Sequence, residues 1–277
     1  MSFKLINAQR ACWLLCLFVA VAGTTALMGC ASSSGSSSAS ASRPDLVTES
    51  DESSARKRAR IRVELAVGYL EQGKTSIALD EVKLALAADP DFADAYSLRG
   101  LIYMRLNEFA LAQDSFLKAL SLRPRDPNIL HNLGWLKCQQ ARYPEAMADF
   151  SAALSVPSYG ERAKTYMTQG LCQIRAGQTR EAEQSLLKSY ELDAANPVTG
   201  YNLANLLYQN ADFVRAQFYI RRLNNSDWSN AESLWLGIKV ERQMADQVAM
   251  LQLATQLEKR FPQSKEALSY RRGAFNE

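Results

Sequence analysis

A phrase of residues returns at a fixed interval along this chain, and that recurrence limits the possible folds more than any other feature. Leu65-Ala66-x-x-Tyr69 leads to Ala78, Val82, Ala85 and Pro90. The same order appears 34 residues later as Arg99-Gly100-x-x-Tyr103, Ala112, Phe116, Ala119 and Pro124, and again as Leu133-Gly134, Ala146, Phe150 and Ala153. Looser copies follow: Gly170 with Ala182 and Leu186, Leu203-Ala204 with Ala216 and Ile220, and Leu236-Gly237 with Ala249 and Leu253. Six units therefore start near residues 59, 93, 127, 163, 197 and 230. A unit of this length cannot bury its apolar face alone, so the copies must stack and share a core.

The spacing inside each phrase resembles the tetratricopeptide repeat, Leu-Gly/Ala-x-x-Tyr followed by Ala-x-x-x-Phe and then Pro. The expected fold is all-α: a right-handed superhelical solenoid of six two-helix repeats over residues 55–263, each with an A and a B helix. Small residues at Gly100, Ala112, Gly134 and Ala146 let the two helices approach, and Tyr69, Tyr103, Phe116 and Phe150 fill the space between repeats. Pro90 and Pro124 stop helix B, and Gly73 and Gly177 mark turns between A and B. Ser264–Arg272 reads as a short closing helix with Ser264 as its N-cap, within a cap and tail over 264–277.

Ahead of the array, residues 1–29 read as a secretory leader. Lys4 and Arg10 precede a 12-residue apolar run, Ala11–Ala22, that is too short to span a bilayer. Leu27-Met28-Gly29-Cys30 then resembles the lipobox of bacterial lipoproteins. The resemblance makes Cys30 the mature first residue and the lipid attachment site, with the membrane reached by lipid anchor only. Ala31 and Ser32 replace the Asp that commonly retains lipoproteins in the inner membrane, so the expected address is the periplasmic face of a Gram-negative outer membrane. The Ser/Ala-rich stretch through Ser54 is a flexible tether with an r.m.s. reach of about 25–30 Å.

In such a fold the A helices line the inner face, with positions two, five, nine and twelve of each repeat pointing into it. The protein-binding groove is expected from Val63, Val67, Leu70, Leu98, Leu101, Met104 and Trp135, with His131 and Cys138 in repeat three and Tyr201, Asn205, Tyr208, Leu234 and Ile238 further along. Apolar groove residues suit a helical or extended peptide. A carboxylate clamp is disfavoured. Asn132 and Asn202 occupy the sixth position, but position five holds Val63, Ser97, His131, Met167, Tyr201 and Leu234 rather than lysine.

Formal net charge is +3, of which the leader supplies two, so nothing draws the chain to nucleic acid. The lone histidine, His131, has no partner at catalytic spacing, and no metal-ligand cluster or cofactor motif is present; an enzyme is not expected. Once Cys30 is acylated, Cys138 and Cys172 are the only thiols of the mature chain. They lie on the A helices of repeats three and four, and their 34-residue spacing leaves two readings open: a disulfide, or two buried free thiols.

Three stretches outside the generic pattern, Asn132–Gln140 (NLGWLKCQQ), Gly170–Gly177 (GLCQIRAG) and Leu234–Arg242 (LWLGIKVER), together with Phe261–Ala267, resemble the type IV pilus biogenesis and stability lipoproteins called pilotins. That resemblance implies binding to subunits of the outer-membrane secretin, use of the lipoprotein sorting machinery, and promotion of secretin localisation and multimerisation. Gly200 and Leu207 depart from the repeat motif. The alternative reading is a general periplasmic tetratricopeptide adaptor for β-barrel assembly or cell-wall enzymes.

Overall fold

The structure, a computed structural model, describes residues 51–275. The leader, Cys30 and the tether up to residue 50 lie outside the described residues. The described residues form thirteen helices: α1 (Ser54–Glu71), α2 (Thr75–Ala88), α3 (Ala93–Arg105), α4 (Phe109–Leu122), α5 (Pro127–Gln139), α6 (Tyr143–Leu154), α7 (Arg162–Arg175), α8 (Thr179–Leu192), α9 (Pro197–Gln209), α10 (Phe213–Asn224), α11 (Ala231–Gln243), α12 (Gln247–Arg260) and α13 (Lys265–Arg271). They make six A–B hairpins followed by one closing helix. No helix among the described residues is long and apolar enough to cross a membrane.

Each A helix ends the same way. The residue after its cap has a left-handed backbone: Gly73, Asn107, Ala141, Gly177, Ala211 and Ala245, with φ between 57° and 75°. Its N–H donates to the carbonyl three residues back, and the next N–H reaches five back, as in Lys74 to Tyr69 and Asp246 to Glu241. All six are Schellman motifs, which satisfy carbonyls left free at the helix end and turn the chain sharply into helix B. Helix starts are more varied. Asp126 and Asn196 cap α5 and α9 ahead of Pro127 and Pro197, Asn230 and Ser233 form a capping box on α11, and Ser264 caps α13. Helix α1 begins at Ser54, ahead of the repeat start near 59, capped by Ser53.

Within hairpins, glycine allows close packing. A Cβ on Gly100 would fall 2.5 Å from Phe116, on Gly134 2.8 Å from Phe150, and on Gly170 2.8 Å from Leu186. Ala112, Ala146 and Ala182 on the partner B helices are fully buried, as are Ala78 and Ala216 in repeats one and five, where Ala66 and Ala204 stand in place of glycine. The core is a series of clusters strung along the stack rather than one central mass. Each A helix touches the A helix of the next repeat, whereas no described B helix comes as close to the next B helix. The A row is therefore the crowded inner face.

Candidate functional site

Leu101 and Met104 project from α3, Trp135 from α5, and Phe109 from the start of α4. Together with Arg105, Asn107 and Gln139 they line a recess of ≈ 320 Å³ on the A-helix face. Helix periodicity sets this up, because positions nine and twelve of one A helix meet position nine of the next. Arg175 lays its guanidinium 4.8 Å from the Trp135 ring centre and donates to Gln139 Oε1 at 2.9 Å, which holds the indole flat. Arg105 donates to the Leu70 carbonyl at 2.9 Å, tying the recess to repeat one.

The other expected groove residues divide. Val67 is exposed at position nine of repeat one, the position that Leu101 and Trp135 hold in the next two repeats. Val63 and Leu70 are half-buried against the cluster of repeats one and two. Leu98 is not a groove residue: it is 7 % exposed and packs with Phe92, Val82 and Ile102. On α3 this position turns toward the preceding hairpin, not the open face. Leu234 and Ile238 are fully buried, because α13 closes over repeat six and packs Ala267 against them. His131 and Cys138 are also buried, against the A helix of repeat four.

At that junction Cys138 and Cys172 are joined in a disulfide with Cα atoms 5.8 Å apart. Close by, His131 Nδ1 lies 2.8 Å from Thr165 Oγ1, and Tyr159 Oη lies 2.7 Å from the same oxygen. One hydroxyl serves both if Tyr159 donates to Thr165 and Thr165 donates to a neutral imidazole. Burial, and secondarily the charge of Lys164, push the His131 pKa down to about 4, so the ring is neutral at pH 7. Its neighbours are a hydroxyl pair and the Phe150 edge, an arrangement that fills a core. Among the described residues no group of three or more His, Cys, Asp or Glu is placed to hold a metal ion.

Arginines are the groove residues that periodicity alone overlooked. Arg105, Arg175 and Arg242 all stand at position thirteen of their repeats, just beyond the last position read as inward-facing. Arg242 covers Phe275 at 4.1 Å. Lys239, one helical turn earlier, lies 5.5 Å from Tyr208 and 5.7 Å from Trp235, and burial lowers its pKa. The recurrence of arginine at thirteen was a legible signal.

Models of the tetratricopeptide repeat match residues 93–126 and 163–196, which are repeats two and four. A Pseudomonas aeruginosa protein described as type IV pilus assembly protein PilF is 29% identical over 204 residues, spanning 74% of this chain and 81% of that protein. The solved structure of Pseudomonas aeruginosa PilF matches with a TM-score of 0.70 at 27% identity, covering 80% of this chain and 100% of the other. This chain is a tetratricopeptide-repeat relative of the type IV pilus biogenesis proteins. The structure of PilW, a widely conserved type IV pilus biogenesis factor, agrees, with a TM-score of 0.68, 28% identity, and coverage of 76% and 97%. Leu101, Met104 and Trp135 remain the apolar lining of a recess in repeats two and three. Asn132 donates to Ser97 on α3, and Asn202 donates to the Val198 carbonyl of its own helix.

Proposed function

We propose that this chain is a pilotin, an outer-membrane lipoprotein that is anchored through Cys30 and binds secretin subunits of a type IV pilus machine on its A-helix face. It would carry them along the lipoprotein sorting route and promote their multimerisation. It acts by binding and not by catalysis. The observation that carries the reading is the apolar recess of Leu101, Met104 and Trp135, with Val67 at the equivalent position of repeat one, in a chain related to pilus assembly proteins along most of its length. An apolar peptide segment would seat there, with Arg105 and Arg175 at the rim.

The test is capture of purified secretin fragments by the full chain. Leu101→Glu and Val67→Glu, each checked for unchanged helix content by circular dichroism, are expected to weaken capture at least about tenfold, as a charge placed in an apolar contact does. Unchanged affinity in both folded variants overturns the groove assignment. Cys30→Ala is expected to leave the outer-membrane fraction, and normal fractionation of that variant overturns the anchor.

A further inference from the structure

Repeats two and four share an arrangement that repeat five breaks. In repeat two, Tyr96 at position four lies beneath Lys118, 22 residues on, at 5.9 Å, and Arg99 at 4.8 Å. In repeat four, Tyr166 lies beneath Lys188, again 22 residues on, at 5.4 Å, and Arg162 at 5.9 Å. In repeat five the cation is kept, as Arg222, but position four is Gly200. The A-helix glycines at 100, 134, 170 and 237 have side chains within 2.8 Å of where a Cβ would stand. Gly200 is itself buried, yet a Cβ there would meet nothing within 4 Å. It borders a recess of ≈ 370 Å³ between α8, α9, α10 and the loop that follows.

The recess is walled by aromatic groups. Tyr190 and Tyr219 meet edge to face at 4.9 Å, Arg222 lies 5.7 Å from the Tyr190 ring, and Trp228, 65 % exposed, stands on the outer side. Tyr219 occupies the place that Ser115 and Ser185 hold in repeats two and four, so the aromatic has moved from helix A to helix B. The exchange does not fill the space. The Tyr190 hydroxyl oxygen is buried without a hydrogen-bond partner in the structure, a state that costs free energy until a polar group arrives.

We propose that this recess is a second binding site, one that takes an aromatic side chain presented by an extended segment of a partner polypeptide. The array itself identifies the ligand class. Where the same framework is complete, a tyrosine fills it under a cation. A partner ring would restore the cation–π contact to Arg222, and Tyr190, Tyr219 and Trp228 would offer edge and face contacts. The size is that of a small-ligand pocket, and its open side admits a side chain still attached to its backbone. The site is in repeats four and five, and it does not depend on the groove of repeats one to three.

The test uses the full chain labelled with 5-fluorotryptophan, with the Trp228 fluorine resonance assigned by its loss in Trp228→Phe. The probes are the blocked tripeptides Gly-Tyr-Gly and Gly-Leu-Gly. The tyrosine probe is expected to shift the Trp228 resonance saturably at millimolar concentration, and the leucine probe to bind at least about tenfold more weakly. Arg222→Gln is expected to cost about tenfold. Gly200→Tyr, which fills the slot from within, is expected to abolish the shift. The Arg222 variant decides the matter if Gly200→Tyr does not fold. No saturable shift, equal response to the leucine probe, or undiminished binding by Arg222→Gln each overturns the proposal.

Discussion

Between repeats three and four the buried apolar cluster is thin: Cys138, Ala146, Phe150 and Cys172, flanked by Trp135, Tyr143 and Met147. Between repeats five and six it is broad, with Leu203, Leu206, Leu207, Ile220, Leu223, Leu236 and Val240 in one continuous mass. Each junction adds a polar device suited to its core. The thin one has a disulfide and the Tyr159–Thr165–His131 chain, and it carries a longer connection, with repeat starts 36 residues apart instead of 34. The broad one buries Glu241 completely and satisfies it with Arg221 at 2.6 and 2.8 Å and Gln217 at 2.8 Å. In a solenoid, stability is close to a sum over repeats and nearest-neighbour interfaces, so a weak interface is felt locally. A junction short of apolar area can thus be held by a covalent link, while a junction rich in it tolerates a buried charge.

The largest expected effect lies at the thin junction. Replacing both cysteines, Cys138→Ala with Cys172→Ala, removes a link that closes a 34-residue separation. The chain-entropy model then predicts a loss of roughly 3–4 kcal/mol. Urea unfolding with hydrogen exchange should show α5 and α7 losing protection first, with unfolding dividing into repeats one to three and four to six. A variant that still unfolds in one step at an unchanged midpoint would mean that the cluster around Phe150 suffices.

At the broad junction, Arg221→Ala strips Glu241 of its charged partner and leaves Gln217 alone to serve it. The expected loss is about 3 kcal/mol, because an uncompensated buried carboxylate is costly. Arg221 is itself half-exposed, so solvent bears part of that cost. Arg221→Lys, which keeps a charge beside the carboxylate, should lose less than Arg221→Ala, as urea denaturation midpoints would reveal. An equal loss in the two variants would place the cost in packing instead.

His131 gives the thin junction a pH dependence of its own. Its folded pKa is depressed to about 4 from 6.5, so below pH 6.5 the unfolded chain takes up a proton that the folded chain refuses until about pH 4. The contribution is therefore fully present above pH 6.5 and is lost as pH falls to about 4, amounting to about 2–3 kcal/mol over that window. His131→Gln should show a shallower decline than the natural chain across it, measured as the difference between their urea midpoints. Parallel declines would mean that the imidazole is not buried in solution.

Much of this was legible because a repeat reports itself several times. The Ala and Phe markers fixed the hairpins, and the small residues at 100, 134 and 170 announced the close approaches that Phe116, Phe150 and Leu186 make. The groove was harder to read. Position counting treats a helix as if it had one neighbour, but each A helix packs on its own B helix, on the preceding hairpin and on the next A helix. That is why Leu98 turns inward and why His131 and Cys138 face α7. Leu234 and Ile238 are buried for a different reason: the array ends there, and α13 covers what an open repeat would expose. Gly200 was visible only as a departure from the motif. Its meaning, an unfilled slot under a retained arginine, needed the surrounding side chains.

The smallest effect concerns turns that the two junctions share. Ala141 in repeat three and Ala211 in repeat five both take the left-handed conformation that Gly73 and Gly177 adopt in repeats one and four. That geometry presses an alanine Cβ against its own carbonyl at about 1–2 kcal/mol, part of which glycine returns as extra freedom in the unfolded chain. Ala141→Gly and Ala211→Gly are each expected to stabilise by about 0.5 kcal/mol. If the disulfide couples repeats three and four into one unit, the gain at Ala141 should raise hydrogen-exchange protection in α7 as well as in α5 and α6. On reduction it should be confined to repeat three. The gain at Ala211 should be indifferent to reductant, because its neighbours are joined by apolar burial and the Glu241 ion pair, without a covalent link. Equal sensitivity of the two gains to reductant would erase the distinction drawn between the junctions.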